Sequence, residues 1–240
     1  MFNVSFDFQS LQLGEIYSGG ALTMIDISSQ DVFDIMFTTR AMRRLKPDPV
    51  PDDLVLKILK AGMSAANGGN MQTWRFLVVK DIEIKKKVQV IYKKAYDEWI
   101  SPRYSSISPP PGSTKEGYHR QHTAVEYLTD HFHEAPIWIV ACIDHGESIP
   151  TRHSGASIYP AVQNMLLAAR ALGLGATLTN RHLYFEEESE KALGLPKGVH
   201  SYAIIPIGYP LGNFGPVGRG SLGEFVFLDK LDNPWGPAQS

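Results

Sequence analysis

Three stretches of this chain carry residue types at spacings suited to ligand chemistry. The first is Arg40-Ala41-Met42-Arg43-Arg44. On a helix, positions i and i+3 share a face, so Arg40 and Arg43 could clamp one phosphate while Arg44 turns elsewhere. For the cluster alone a solvated basic face is the simpler account. Its setting adds weight: residues 1–39 hold Asp7, Glu15, Asp26, Asp31 and Asp34 but no Lys or Arg, and then Arg40, Arg43, Arg44 and Lys46 follow closely. The second stretch is AANGGNMQTWRF at residues 65–76. Asn67 and Asn70 suit left-handed turn positions, but Gln72, two residues before Trp74, has less reason to be in a plain turn. A side-chain amide pairs well with an edge of alternating C=O and N–H groups, such as a nucleobase or an isoalloxazine pyrimidine. The third, Gly218-Arg219-Gly220-Ser221-Leu222-Gly223, satisfies the dinucleotide pattern GxGxxG. That pattern works only between a strand and a helix whose N-terminus meets a pyrophosphate. Here glycine-rich coil precedes it and a strand-like Glu224–Phe227 follows, so the dinucleotide reading is rejected.

Other chemistries find less support. His131 and His133 lie in a helical pattern, where i and i+2 diverge. His119, His122, His145 and His153 fall near loops, so no metal site is expected. The single cysteine, Cys142, is embedded in the apolar run Ile137–Ile143 and reads as a buried small hydrophobe. No Gly-x-Ser-x-Gly elbow and no CxxC occur.

The elements that must position these residues follow from periodicity and punctuation. With 240 residues, 43% of them hydrophobic, the chain can bury a full core in one domain. A net charge of −2 gives no global attraction to nucleic acid or anionic membrane. The lone cysteine, the absence of a long apolar run and an N-terminus unlike a signal or transit peptide lead us to expect a soluble cytoplasmic protein. A helix is expected from Gln30 to Phe37, a second from Pro51 to the amide turn, and a strand at Trp74–Lys80. A basic helix capped by Asp81 should run to about Trp99. Residues 100–118, with Pro102, Pro109, Pro110, Pro111 and Gly112, read as an irregular lid or linker. There follow an expected helix at Gln121–His133, a strand at Pro136–Asp144, and a buried helix at Tyr159–Leu172 capped by Ser154 or Ser157. A strand at Ala176–Asn180, an acidic helix at Phe185–Leu193 and a central strand at Tyr202–Tyr209 complete the set. Mixed elements without strict βαβ alternation indicate an α+β sheet flanked by helices. Residues 1–29 read as an N-terminal extension, 30–211 as the domain, and 212–240 as an arm wrapping a partner subunit.

Taken in order, Arg40–Arg43, KPDPVP, AANGGNMQTWRF and GLGATLT resemble the motifs of the nitroreductase-like flavoproteins over roughly residues 30–230. The resemblance implies a three-layer α+β sandwich with a mixed, mainly antiparallel sheet, in an intertwined homodimer holding FMN at its interface. By position it implies FMN contacts from Arg40, Ala41, Met42 and Arg43, and from Asn70 and Gln72. It also implies contacts from Leu178, Thr179, Asn180 and Arg219, while Ala66, Asn67 and Gly68 are offered from the opposite subunit. Trp99, Tyr104 and Tyr118 would wall a substrate pocket under the lid. The activity implied is ping-pong oxidation of NAD(P)H with hydride transfer to electron-poor small molecules such as nitroaromatics or quinones. The flavin carries the chemistry, so no side chain is nominated as catalytic. Alternatives are a flavin-binding or flavin-handling member without such turnover, or a reductive dehalogenase-like relative. No Glu-Tyr-Lys zwitterion grip of the deiodinase branch is placed on Ala95–Arg120. Thr39, Ala41, Leu45, Ala66, Asn67 and Thr73 depart from the usual motifs.

Overall fold

The computed structural model describes residues 32–104 and 107–235; the expected N-terminal extension lies outside them. Helix α1 (Val32–Thr38) is followed by an extended segment and by α2 (Asp52–Met63), which starts directly after Pro51. Strand β1 (Trp74–Val79) leads to α3 (Ile82–Ala95), whose N-cap Asp81 accepts the Glu83 and Ile84 N–H groups. A π turn at Tyr96–Ile100 carries α3 directly into α4 (Ser101–Tyr104). Then come α5 (Lys115–Asp130), β2 (Ile137–Asp144), α6 (Arg152–Ala171), β3 (Gly175–Ala176), α7 (Glu186–Leu193), β4 (Val199–Gly208) and α8 (Leu222–Phe225).

The strands form one antiparallel sheet in the order β1-β2-β4-β3. Both faces of β2 are buried, and its side chains alternate between two cores. Ile137, Ile139, Ala141 and Ile143 pack with Ile58, Val162 and Met165 of α2 and α6. Trp138, Val140 and Cys142 pack with Val88, Tyr92, Leu128 and Phe132 on the α3–α5 side. This is the expected three-layer α+β sandwich. Gly62 sets the spacing of the first helix pair, since a Cβ there would stand 2.2 Å from Cε of Met165. Cys142 is buried and its thiol is pushed up to about 12 by desolvation, so it stays an unreactive core residue.

Several boundaries differ from expectation. The irregular part of the segment 100–118 is shorter than expected: α4 reaches Tyr104, residues 107–114 are neither helix nor strand, and Thr114 caps α5 at Lys115 by accepting the Gly117 N–H at 3.0 Å. Pro102 is tolerated where the π turn has already shifted the hydrogen-bond ladder. Helix α5 therefore starts before Gln121 and ends at Asp130, with a separate turn at Phe132–Glu134. Helix α6 starts at Arg152, ahead of Tyr159, and contains Pro160. The Ala156 carbonyl that Pro160 cannot satisfy is on the exposed side, open to water. Ser154 accepts the Thr151 N–H within a capping box, and Ser157 instead accepts the Gly68 N–H at 3.1 Å. The expected strand at Ala176–Asn180 pairs only at Gly175–Ala176 and again at Thr179, opposite Ile204. Glu224–Phe227 is not a strand; it begins as the short α8.

Candidate active site

Arg40 to Leu45 is extended, not helical, so the shared-face argument for Arg40 and Arg43 does not apply. Long-range pairing decides this: the Met42 N–H donates to the Ala176 carbonyl, and Leu45 bridges Pro210. Met42 and Leu45 are buried by these contacts, while Arg40, Ala41 and Arg44 are exposed. Arg43 enters a half-buried pocket between α3, α4 and the segment after β3. Burial lowers its pKa, the Tyr104 and Tyr92 hydroxyls oppose that, and the nearby Arg181 guanidinium adds to it.

Tyr92 is the centre of this group. Its hydroxyl shares a 2.8 Å hydrogen bond with Oγ1 of Thr179, and its ring stacks on Phe132 at 4.2 Å. Arg181 lies over the rings of Tyr92 and Tyr96, at 5.1 and 5.2 Å, and donates to Oγ1 of Thr129 at 2.8 Å. Among the described residues neither Arg43 nor Arg181 pairs with a carboxylate. Two cations thus converge on a buried tyrosine without a counter-charge. Thr179 itself is buried, with Leu178 and Asn180 exposed on either side.

The lid candidates divide. Tyr104 stacks on His122 at 3.9 Å and lies 5.7 Å from Tyr118, while Tyr96 ties α3 to α5 by hydrogen bonds to His122 and Glu126. Trp99 instead stacks on Tyr184. The structure thus gathers Arg43, Thr179, Tyr104 and Tyr118, and adds Tyr92, Tyr96 and Arg181, which the sequence reading missed. Arg181 directly follows the nominated strip, and Tyr92 sits four residues after the buried Val88; both signals were available.

From Tyr209 the chain runs back along the first motif. The Leu211 N–H reaches the Arg44 carbonyl, the Arg40 guanidinium lies beside Gly215, and the Val217 N–H reaches the Phe37 carbonyl. Arg219 follows two residues later, exposed, its guanidinium donating to the Gly218 carbonyl at 2.8 Å. Its backbone crosses the proline-rich loop so closely that a Cβ on Gly112 (φ +74°) would lie 2.1 Å from the Arg219 oxygen. Loop and tail lie in close backbone contact.

The amide turn lies elsewhere. Oδ1 of Asn67 accepts the Gln72 N–H at 3.0 Å, and the Gln72 amide reaches only the Asn70 carbonyl at 3.4 Å. Asn70 and Gln72 both hold positive φ, 53° and 50°, which is uncommon for a residue with a Cβ. Ala66, Gly68, Asn70 and Gln72 are exposed. Within the chain these amides therefore brace their own turn. The turn precedes Trp74, opposite Ile143 and in line with His200. Arg40–Leu45 sits at the other end, beside Ile207 and Pro210. Seven residues of β2 separate the two ends, roughly 20 Å at the usual rise per residue.

The model of the nitroreductase family matches residues 37–209. The chain belongs to the nitroreductase family. The matched span begins at α1 and ends just after β4, taking in the first motif, the amide turn and the Thr179 strip. A Methanothermobacter thermautotrophicus protein with the provisional name NADH dehydrogenase/NAD(P)H nitroreductase is 28% identical, the match covering 79% of this chain and 82% of that protein. An iodotyrosine deiodinase from Thermotoga neapolitana is 26% identical, over 75% of this chain and 88% of its own. Among solved structures, a nitroreductase with bound FMN from Desulfitobacterium hafniense shares the fold at a TM-score of 0.63. It is 21% identical, and the match covers 83% of this chain and 99% of that one. The nitroreductase family and these oxidoreductase names support an oxidoreductase. No helix among the described residues is long and apolar enough to cross a membrane.

Proposed function

We propose that this protein is an FMN-dependent NAD(P)H oxidoreductase acting on flat, electron-poor acceptors as a homodimer. The observation that carries the proposal is the pair of guanidiniums near Thr179, Arg181 over the Tyr92 ring and Arg43 close to it, with no carboxylate partner among the described residues. A ligand bearing negative charge supplies the missing counter-charge, and the desolvated setting strengthens that attraction. The FMN-bound relative supports the choice of ligand. Bound FMN would supply the hydride chemistry of a ping-pong cycle between NAD(P)H and the acceptor.

The chain's own residues divide the remaining work. Arg40 and Arg219, on strands of chain that run side by side, would hold the phosphate. Arg43 would stabilise negative charge at the pyrimidine edge, with Met42 and Ala41 along the ring and Leu178–Asn180 at its opposite margin. Tyr104 and Tyr118 would bound the acceptor pocket, and the loop packed against Gly218–Arg219 would exclude water. The sheet-length separation of the two motifs supports a homodimer, with Ala66, Asn67, Gly68, Asn70 and Gln72 serving the partner's cofactor. Exposed Val32, Phe33, Met36 and Phe37 on α1 give such a pairing apolar surface to bury. A second reading, reductive dehalogenation, is favoured by the deiodinase relative.

The test is steady-state turnover of FMN-loaded protein with NADH or NADPH and a nitroaromatic, a quinone or 3-iodotyrosine. The proposal predicts parallel double-reciprocal lines with the first two acceptors. Turnover with iodotyrosine alone would install the second reading, and FMN-loaded protein inactive with all three would leave a flavin-handling role. Failure to bind FMN would sink every version.

A further inference from the structure

Away from the Arg43 group, helix α7 and strand β4 bring three potential ligands together. Glu186 and Glu190 stand one helical turn apart on α7, and His200 faces them from β4. Nδ1 of His200 is 3.4 Å from Oε2 of Glu190 and 3.6 Å from Oε1 of Glu186. These three ligand atoms lie within 4.8 Å of one another. We infer that Glu186, Glu190 and His200 bind one zinc-like divalent cation.

Two observations separate this from an ordinary ion pair. Nδ1 of His200 is buried and makes no hydrogen bond, although two carboxylate oxygens lie within ion-pair distance. The 3.4 and 3.6 Å separations are longer than a charge-assisted hydrogen bond and leave room for a shared cation. Ligands about 2.1 Å from a tetrahedral zinc are about 3.4 Å from each other, close to the 3.4 and 3.6 Å that separate Nδ1 of His200 from the two carboxylates. The second observation is how Glu190 is held. Its Oε1 accepts the Ser201 N–H at 2.7 Å and the Ser201 hydroxyl at 3.3 Å, which fixes the carboxylate and leaves Oε2 facing His200. A ligand carboxylate oriented by its own hydrogen bonds is the usual outer shell of a metal site.

The donor set selects the ion. One imidazole nitrogen and two carboxylate oxygens suit zinc, cobalt or manganese, whereas calcium and magnesium take oxygen alone. Three protein ligands leave a fourth position for water or an added ligand. Bound there, the cation would pin α7 to the start of β4.

Isothermal titration of the full-length protein with zinc chloride near neutral pH tests this. One saturable equivalent is expected, with a zinc-dependent rise in Tm. Glu186→Gln, at an exposed position of α7, should weaken binding at least tenfold and abolish the rise in Tm. His200→Asn should do the same, while both variants unfold at the wild-type temperature without zinc. Glu190 is avoided because its loss would also strip the Ser201 N–H. Zinc affinity unchanged in both variants, or no saturable binding by wild type, overturns the inference.

Discussion

Phe132→Ala is expected to lower the free energy of unfolding by about 3–5 kcal/mol, the range for truncating a fully buried aromatic side chain. Phe132 is inaccessible to solvent and is sandwiched between Tyr92 and Trp138, each with its ring centre 4.2 Å away. The Phe132 carbonyl also accepts the Trp138 indole N–H at 3.1 Å. Removing the ring leaves a cavity that neither neighbour can fill, because Trp138 is fixed in β2 and Tyr92 is held by Thr179. Denaturant titration reads the loss directly. A second effect separates this site from a generic core position. With Tyr92 unsupported, Thr179 and Arg181 lose their common anchor, so FMN retention should fall in the still-folded variant. A loss under 1 kcal/mol would mean that the aromatic stack is not part of the packed core.

The other large effect depends on pH. His182 is fully buried, sharing a hydrogen bond with Oγ of Ser201 at 3.1 Å, and its Nδ1 has no partner among the described residues. Desolvation lowers its pKa from 6.5 to about 4, so the folded protein holds it neutral. Above pH 6.5 both folded and unfolded chains carry neutral histidine and no penalty arises. As pH falls below 6.5 the unfolded chain gains a proton that the folded chain refuses, and stability is lost down to about pH 4. The separation corresponds to about 3 kcal/mol. His182→Gln nearly keeps the volume and removes the titration, so its stability should decline less between pH 6.5 and 4 than that of wild type. Parallel pH profiles for the two proteins would show that His182 is not buried neutral.

Periodicity located every helix and strand that packs on the sheet, because those elements owe their positions to local amphipathicity and caps. It misjudged segments whose conformation is decided by distant partners. Arg40–Leu45 has helical spacing on paper, but the Met42 N–H and the following Lys46 N–H are claimed by the Ala176 and Tyr209 carbonyls, so no helix forms. Pro102 was read as a break, yet it falls beside a π turn and is absorbed; Pro160, inside the helix that was expected, is absorbed at an exposed position of α6. In the candidate site, Arg43, Thr179 and Tyr104 were legible from motif and position. Tyr92 was not, since its importance comes from a hydroxyl that meets Thr179 across 87 positions of sequence. The amides of residues 67–72 were legible as unusual, but their first use is internal to the turn.

The separation of the arginine segment from the amide turn has a genetic consequence under the proposed dimer. Each cofactor cradle would draw its arginines from one gene copy and its amide turn from the other. A chain disabled at Arg40 and Arg43 and a chain disabled at Gly68 would each be inactive as a pure population. Coexpressed, they would pair in part as hybrids, and each hybrid would carry one intact cradle beside one doubly damaged one. Partial recovery of activity in the mixture is expected, up to about a quarter of wild type for random pairing of equal amounts. Two alleles defective at the same end of the sheet would not rescue each other.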